Sequence, residues 1–154
     1  MKRRQLMVAI TALPLAQALP AAAAAPAIRV FKNPSCGCCG AWVQHLQAAG
    51  FTVAVEEVED TTPVRRKLGL PDRYGSCHTG TVAGYVLEGH VPAADVRRLL
   101  ALKPVAIGLA VPGMPVGSPG MEVGNRVDPY EVLLVDRAGQ STVFSKHPSP
   151  RKDL

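Results

Sequence analysis

A chain of 154 residues that is 47% hydrophobic and 19% charged has the composition of a folded protein, not a disordered one, and its length suits a single domain. The formal net charge of +5 includes Lys2, Arg3 and Arg4, and no acid lies before residue 26, so the chain from there on carries only +2. With no basic stripe interleaved with aromatics, so small a charge excludes a nucleic-acid surface.

The first 25 residues are a different kind of sequence. Lys2, Arg3 and Arg4 precede an apolar run over 6–19, and Pro20 with the alanines of 21–25 follows. Charged, apolar and small-residue zones in that order form a cleaved secretory signal. Pro14 and Gln17 interrupt the run, which falls short of the ~20 apolar residues needed to span a bilayer, so a membrane anchor is the weaker reading. Arg3 and Arg4 together leave a twin-arginine export route open. The expectation is a signal peptide over 1–25, one domain over 26–145 and a flexible tail over 146–154. Once exported and cleaved, the chain would have no membrane span and would occupy a periplasm, where disulfides are permitted.

Residues 28–32 read as a short strand, stopped by Asn33-Pro34 because proline has no N–H for a ladder and restricts the residue before it. Cys36-Gly37-Cys38-Cys39 follows at once. Trp42, Val43, Leu46 and Ala49 then recur at helical spacing until Gly50 supplies a stop. Phe51, Val53 and Val55 alternate with polar residues as a second strand over 51–56, completing a βαβ unit. Asp60-Thr61-Thr62-Pro63 opens a short helix that Gly69 ends. A loop over 71–76 delivers Cys77-His78 to a β-rich run at 81–87. Glu88-Gly89 reads as the next turn, with a short return strand at His90-Val91. A helix runs from Pro92 to about Leu102 on a stripe of Val96, Leu99 and Leu100. Residues 104–129 read as a long Gly/Pro-rich loop, too apolar for a solvated linker and so of the functional kind. Residues 131–136 and 141–144 form a final hairpin.

Three cysteines in four residues at a helix start carry the chemistry. Unpaired backbone N–H groups and the positive end of the helix dipole favour thiolate there, the form that binds soft metals and attacks disulfides. Cys36, Cys38, Cys39 and Cys77 can pair in three ways, of which Cys36 with Cys39, or a bridge to Cys77, is geometrically easy. Cys36 and Cys39 have the C-x-x-C spacing of thiol oxidoreductases, yet Cys38 between them offers competing disulfides. Structural zinc draws on two separated pairs, whereas here three close sulfurs have one distant partner. Diverging adjacent thiolates suit bridging, and Cu(I), content with two or three sulfurs, fits them.

His78 is the nitrogen candidate beside Cys77, against the plainer role of a loop histidine in solvent. His90 reads as structural or surface, His45 as solvated beside Gln44 and Gln47, His147 as part of the tail, and Trp42 as core. Met114 and Met121 are thioether candidates for copper, with core packing as the plainer role.

The element order, βαβα then a β-hairpin then α, resembles the thioredoxin and glutaredoxin arrangement. Residues 81–100 are similar to the second half of a glutaredoxin, and Asn33-Pro34-Ser35-Cys36 to the turn of the arsenate-reductase branch. The resemblance implies an α/β, thioredoxin-like fold with a long Gly/Pro/Met loop and an added C-terminal β-hairpin. It also sets Cys77 in the segment where such folds carry a cis-proline, facing the other cysteines. Asn33-Pro34-Ser35-Cys36-Gly37-Cys38-Cys39, Ser76-Cys77-His78-Thr79, Gly84-Tyr85-Val86-Leu87-Glu88-Gly89-His90-Val91-Pro92 and Gly108-Leu109-Ala110-Val111-Pro112-Gly113-Met114-Pro115 together resemble the CopG-type periplasmic copper-resistance proteins. That resemblance implies that Cys36, Cys38, Cys39 and Cys77 hold copper, a multinuclear cluster being among the arrangements, with a role in copper oxidation-state chemistry. The partners implied are copper ions and other periplasmic copper-handling proteins. His78, Met114 and Met121 remain candidates on their own chemistry. Two functions stay open: a binding protein that sequesters Cu(I) for copper resistance, and a thiol–disulfide or copper oxidoreductase using Cys36 and Cys39.

Overall fold

Strand β1 (Ile28–Lys32) alternates as a half-buried strand should, with Ile28 and Val30 fully buried and Arg29 exposed. Lys32 closes it, donating from Nζ to the Asn33 carbonyl at 3.0 Å. The computed structural model describes residues 26–147, so the signal expected over 1–25 and positions 148–154 of the expected tail lie outside the described residues. Asn33 then builds the turn, its Oδ1 accepting the Ser35 N–H at 2.9 Å and its carbonyl the Cys36 N–H at 3.1 Å. Helix α1 (Gly37–Ala48) starts with Cys36 as its N-cap in extended geometry. At its other end Gly50, at φ +85°, lets its own N–H reach the Gln47 carbonyl and the Phe51 N–H reach the Leu46 carbonyl. That pair of bonds is a Schellman stop, and it turns the chain into β2 (Val53–Glu57), which runs parallel to β1 with Val53 opposite Ile28.

Helix α2 (Thr62–Lys67) and a 3-10 turn (Asp72–Tyr74) lead to the hairpin β3 (His78–Val82) and β4 (Tyr85–Glu88), then to α3 (Ala93–Leu102). Strands β5 (Gly108–Ala110), β6 (Tyr130–Val135) and β7 (Ser141–His147) complete one seven-stranded sheet in the order β2-β1-β3-β4-β5-β6-β7. The architecture is mixed α/β. Successive residues Val86 and Leu87, and Leu109 and Ala110, fall into different apolar clusters, so the sheet is covered on both faces. Trp42 and Leu46 of α1 meet Val96 and Leu99 of α3 on one side, each large apolar side chain contributing about 1.5–3 kcal/mol by burial. Leu70 and Tyr74 cover the other. Among the described residues no helix is long and apolar enough to cross a membrane.

Three expectations are corrected. The run at 81–87 is not one strand: the chain reverses at Ala83 and Gly84, both at positive φ (48° and 86°), as a two-residue hairpin turn matched to strand twist requires. Glu88-Gly89 is therefore not the hairpin turn, and His90-Val91 lies beyond the end of β4. The loop expected over 104–129 is broken by β5, whose three residues are all buried. A Cβ at Gly108 would stand 1.9 Å from the Val86 carbonyl oxygen, so only glycine admits that pairing. Finally, β7 runs to His147, beyond the expected strand end.

Candidate metal centre

The asparagine-proline turn sets Cys36 at the N-cap of α1 and Cys38 and Cys39 in its first turn, while the hairpin brings Cys77 to the same place from the sheet. The Sγ atoms of Cys36, Cys38, Cys39 and Cys77 all lie within 4.8 Å of one another. Cys36 and Cys39 are joined as a disulfide, and Cys38 and Cys77 are free. Cys38 Sγ stands 3.5 Å from Cys36 Sγ and 3.9 Å from Cys77 Sγ. Cys39 is buried and the other three are half-buried, so the group opens to solvent on one side. Burial, reinforced by neighbouring Cys38, pushes the Cys77 thiol up to about 11, so at neutral pH Cys77 is a thiol that must surrender its proton to any metal it binds.

His78 is buried beside Cys77, not in solvent. Its Nε2 is 2.8 Å from the Gly89 carbonyl and its Nδ1 is 3.4 Å from Cys77 Sγ. A carbonyl only accepts, so Nε2 carries the proton and the Nδ1 lone pair faces the sulfur. Burial, then the neighbouring His90, brings its pKa down to about 3, which keeps the ring neutral.

His90 is the residue that sequence reasoning missed. It is fully buried, its Nδ1 bonds the Pro119 carbonyl at 2.8 Å, and its Nε2 stands 3.4 Å from Cys77 Sγ. Burial lowers its pKa as well, against the pull of the Pro119 bond. The signal was the hairpin register. Thr79 pairs with Glu88 and Val82 with Tyr85, and continuing that ladder sets His90 across from Cys77. A turn read at Glu88 instead of Ala83 hides the relation.

His45 is not solvated either: its Nε2 accepts the Ala93 N–H at 3.0 Å, satisfying a free donor at the start of α3. His147 stacks on Tyr130 and bonds Asp95 Oδ2 at 2.8 Å, a contact of β7 with α3 away from the cysteines. Trp42 is core as expected, and it also stacks on His78 with ring centroids 4.2 Å apart.

The Gly/Pro loop packs onto the site. Its Pro119 holds His90, and a Cβ on Gly120 would lie 2.7 Å from the Trp42 backbone nitrogen and 2.8 Å from the Cys38 carbonyl oxygen, so the loop backbone lies against the start of α1. Met121, next along, is half-buried; Met114 is 53% exposed and is not core filler.

The donor set suits a soft ion. Thiolates and neutral imidazoles accept Cu(I), and no hard carboxylate enters the group of four sulfurs. The family described as "Protein of unknown function, DUF411" matches residues 74–121, the stretch that carries Cys77, His78, His90 and the loop. No curated protein matches. Two solved structures are similar over nearly their whole length. "Copper resistance protein copG- Form 2" is 48% identical at a TM-score of 0.77, with 80% of this chain and 99% of that chain covered. Form 1 of the same protein is 47% identical at 0.76, with 81% and 99% covered.

Proposed function

The chain belongs to the CopG copper resistance family, and on that premise we propose that it is an exported protein that binds Cu(I) through Cys36, Cys38, Cys39 and Cys77 in copper resistance. The observation that carries the proposal is the convergence of those four sulfurs within 4.8 Å from two segments nearly forty residues apart. A group that tight lets thiolates bridge ions, so more than one Cu(I) fits the reading. His78 is the nitrogen ligand of the set, and Met121, on the covering loop, is the more buried of the two thioether candidates. Met114 is the more exposed.

The bond between Cys36 and Cys39 sets a condition. Two of the four sulfurs become thiolates only after two electrons have opened the disulfide, so copper loading follows reduction. The same bond favours a second reading, a thiol–disulfide or copper oxidoreductase in which Cys36 and Cys39 cycle. We read β2-β1-β3-β4 with α1 and α3 as a thioredoxin-like core, a reading supported by the parallel β1/β2 and antiparallel β1/β3 and β3/β4 pairs, with β5 to β7 extending the sheet. The signal over 1–25, a periplasmic site of action and other copper-handling proteins as partners belong to this proposal.

The test is anaerobic titration of the reduced protein with Cu(I), read as copper-to-protein ratio, beside reduction of a model disulfide. On the binding reading Cys77→Ser lowers the ratio, because a hydroxyl is a poor partner for that ion. A dithiol enzyme instead loses turnover in Cys36→Ser and Cys39→Ser and keeps much of it in Cys77→Ser. A Cys77→Ser protein that binds as much Cu(I) as the parent, equally tightly, overturns the four-cysteine site.

A further inference from the structure

The two faces of the sheet are covered unequally. Helices α1 and α3, twelve and ten residues long, pack on one face, whereas α2 on the other has six residues and ends at Lys67. Beyond that end a row of paired positions crosses four strands: Arg29 lies opposite Thr81, Thr81 opposite Val86 and Val86 opposite Gly108. Residues opposite one another in a ladder share a face, and Val86 places this row on the α2 side. The row is low. Thr81 is small, and Gly108 has no side chain because a Cβ there would meet the Val86 backbone.

Three adjoining depressions of about 430, 450 and 330 Å³ lie along it. The first two share Leu68 and Thr81, and the second and third share Gly84, Ala106 and Arg137, so together they form one trough, open on its solvent side. Its floor is apolar, with Phe31, Val64, Leu68 and Ile107 only half-buried and Val86 beneath them. Its charge is cationic: Arg29, Lys67, Lys103 and Arg137 line it against one acid, Glu56, which Arg29 already pairs. Among the described residues Lys67, Lys103 and Arg137 make no ion pair.

An apolar floor edged by unpaired cations is complementary to an apolar chain that carries carboxylates. The run of three open depressions suits an extended peptide, whereas a small-molecule site encloses its ligand. Neither segment outside the described residues matches: the first carries Lys2, Arg3 and Arg4 with no acid, the last Arg151 and Lys152 against Asp153. We propose that the trough is a docking site for an extended, acidic and apolar segment of a partner protein. It shares no residue with the cysteine centre and does not rest on the Cu(I) reading.

The experiment uses the protein as it stands and, as probe, a short fluorescently labelled peptide of alternating glutamate and leucine, with serine replacing leucine in the control peptide. The expected result is saturable binding of the probe by fluorescence anisotropy, at least tenfold tighter than the control, and weakened at least tenfold when salt is raised to about 0.5 M. Lys67→Glu with Arg137→Glu should weaken it at least tenfold too, while thermal unfolding stays that of the parent, since both side chains are exposed and unpaired. No saturable binding overturns the proposal without recourse to any variant. Equal binding of the two peptides overturns it in favour of an unselective cationic surface, and parental binding by the charge-reversed protein overturns it as well. A dimer of the chain alone in sedimentation, dissolved by the same two reversals, gives the trough to a second copy instead.

Discussion

The carboxylate of Glu88 accepts the backbone N–H of Ser76 at 2.7 Å, so a fully buried acid holds the residue that precedes Cys77. Its other bonds come from Arg65 at 2.9 Å and the Thr79 hydroxyl at 2.7 Å. Removing one partner strands a buried charge, which costs about 3–5 kcal/mol, whereas replacing both by apolar side chains is often far milder. Glu88→Leu should lower the urea midpoint sharply, and Glu88→Leu with Arg65→Met should recover much of the loss. A double variant no more stable than the single one would show that the Ser76 and Thr79 bonds, not the ion pair, carry the cost.

The bond from the Ala93 N–H to His45 requires a neutral imidazole. Burial lowers the His45 pKa, partly opposed by Glu122, so the unfolded chain takes up the proton more readily than the folded one. Stability from this bond is therefore complete above about pH 6.5 and is lost as pH falls below it. His45→Ala should cost about 0.5–2 kcal/mol at pH 7.5, the usual value of a cap, and less at pH 5. Urea unfolding of both proteins at the two pH values measures it; an equal cost at each would remove the acceptor role.

Gly120 has φ +87°, and its missing Cβ leaves room for the backbone of Trp42 and Cys38. Gly120→Ala should destabilise by more than about 1 kcal/mol, from strained φ and backbone overlap together. Gly124, also at positive φ but with nothing near its Cβ position, is the control and should cost less. Thermal unfolding of the two variants ranks them. An innocuous Gly120→Ala would mean that the loop is not seated on α1.

Met114→Leu with Met121→Leu conserves shape and should leave thermal unfolding within about 0.5 kcal/mol of the parent. On the proposed function the pair weakens Cu(I) binding by the reduced protein. Unchanged affinity would return both thioethers to packing and solvent.

Strand, cysteine turn and helix were legible because each announces itself locally: alternation in 28–32, Asn-Pro as a stop, helical spacing from Trp42 to Leu46, and Gly50 as an end signal. Convergence of Cys77 on the other cysteines was legible only through the resemblance, since nothing local says which loop faces which helix. The hairpin was hidden by Ala83, a residue that rarely takes positive φ, and with it went the place of His90. Strand β5 was hidden by its glycine, which reads as loop chemistry until the closeness of Val86 shows why no other residue fits. His45 looked solvated because its helix neighbours are polar; its partner lies 48 residues away.

Trp42 is the chain's one tryptophan, and it is buried with its indole N–H on the Val91 carbonyl and its ring stacked on His78. Indole emission, excited to the red of tyrosine absorption, therefore comes from a single ring 4.2 Å from an imidazole of the centre. Whatever places charge or an open-shell ion on that ring changes the brightness of its neighbour. The fold carries its own optical gauge of the site, readable in unlabelled protein.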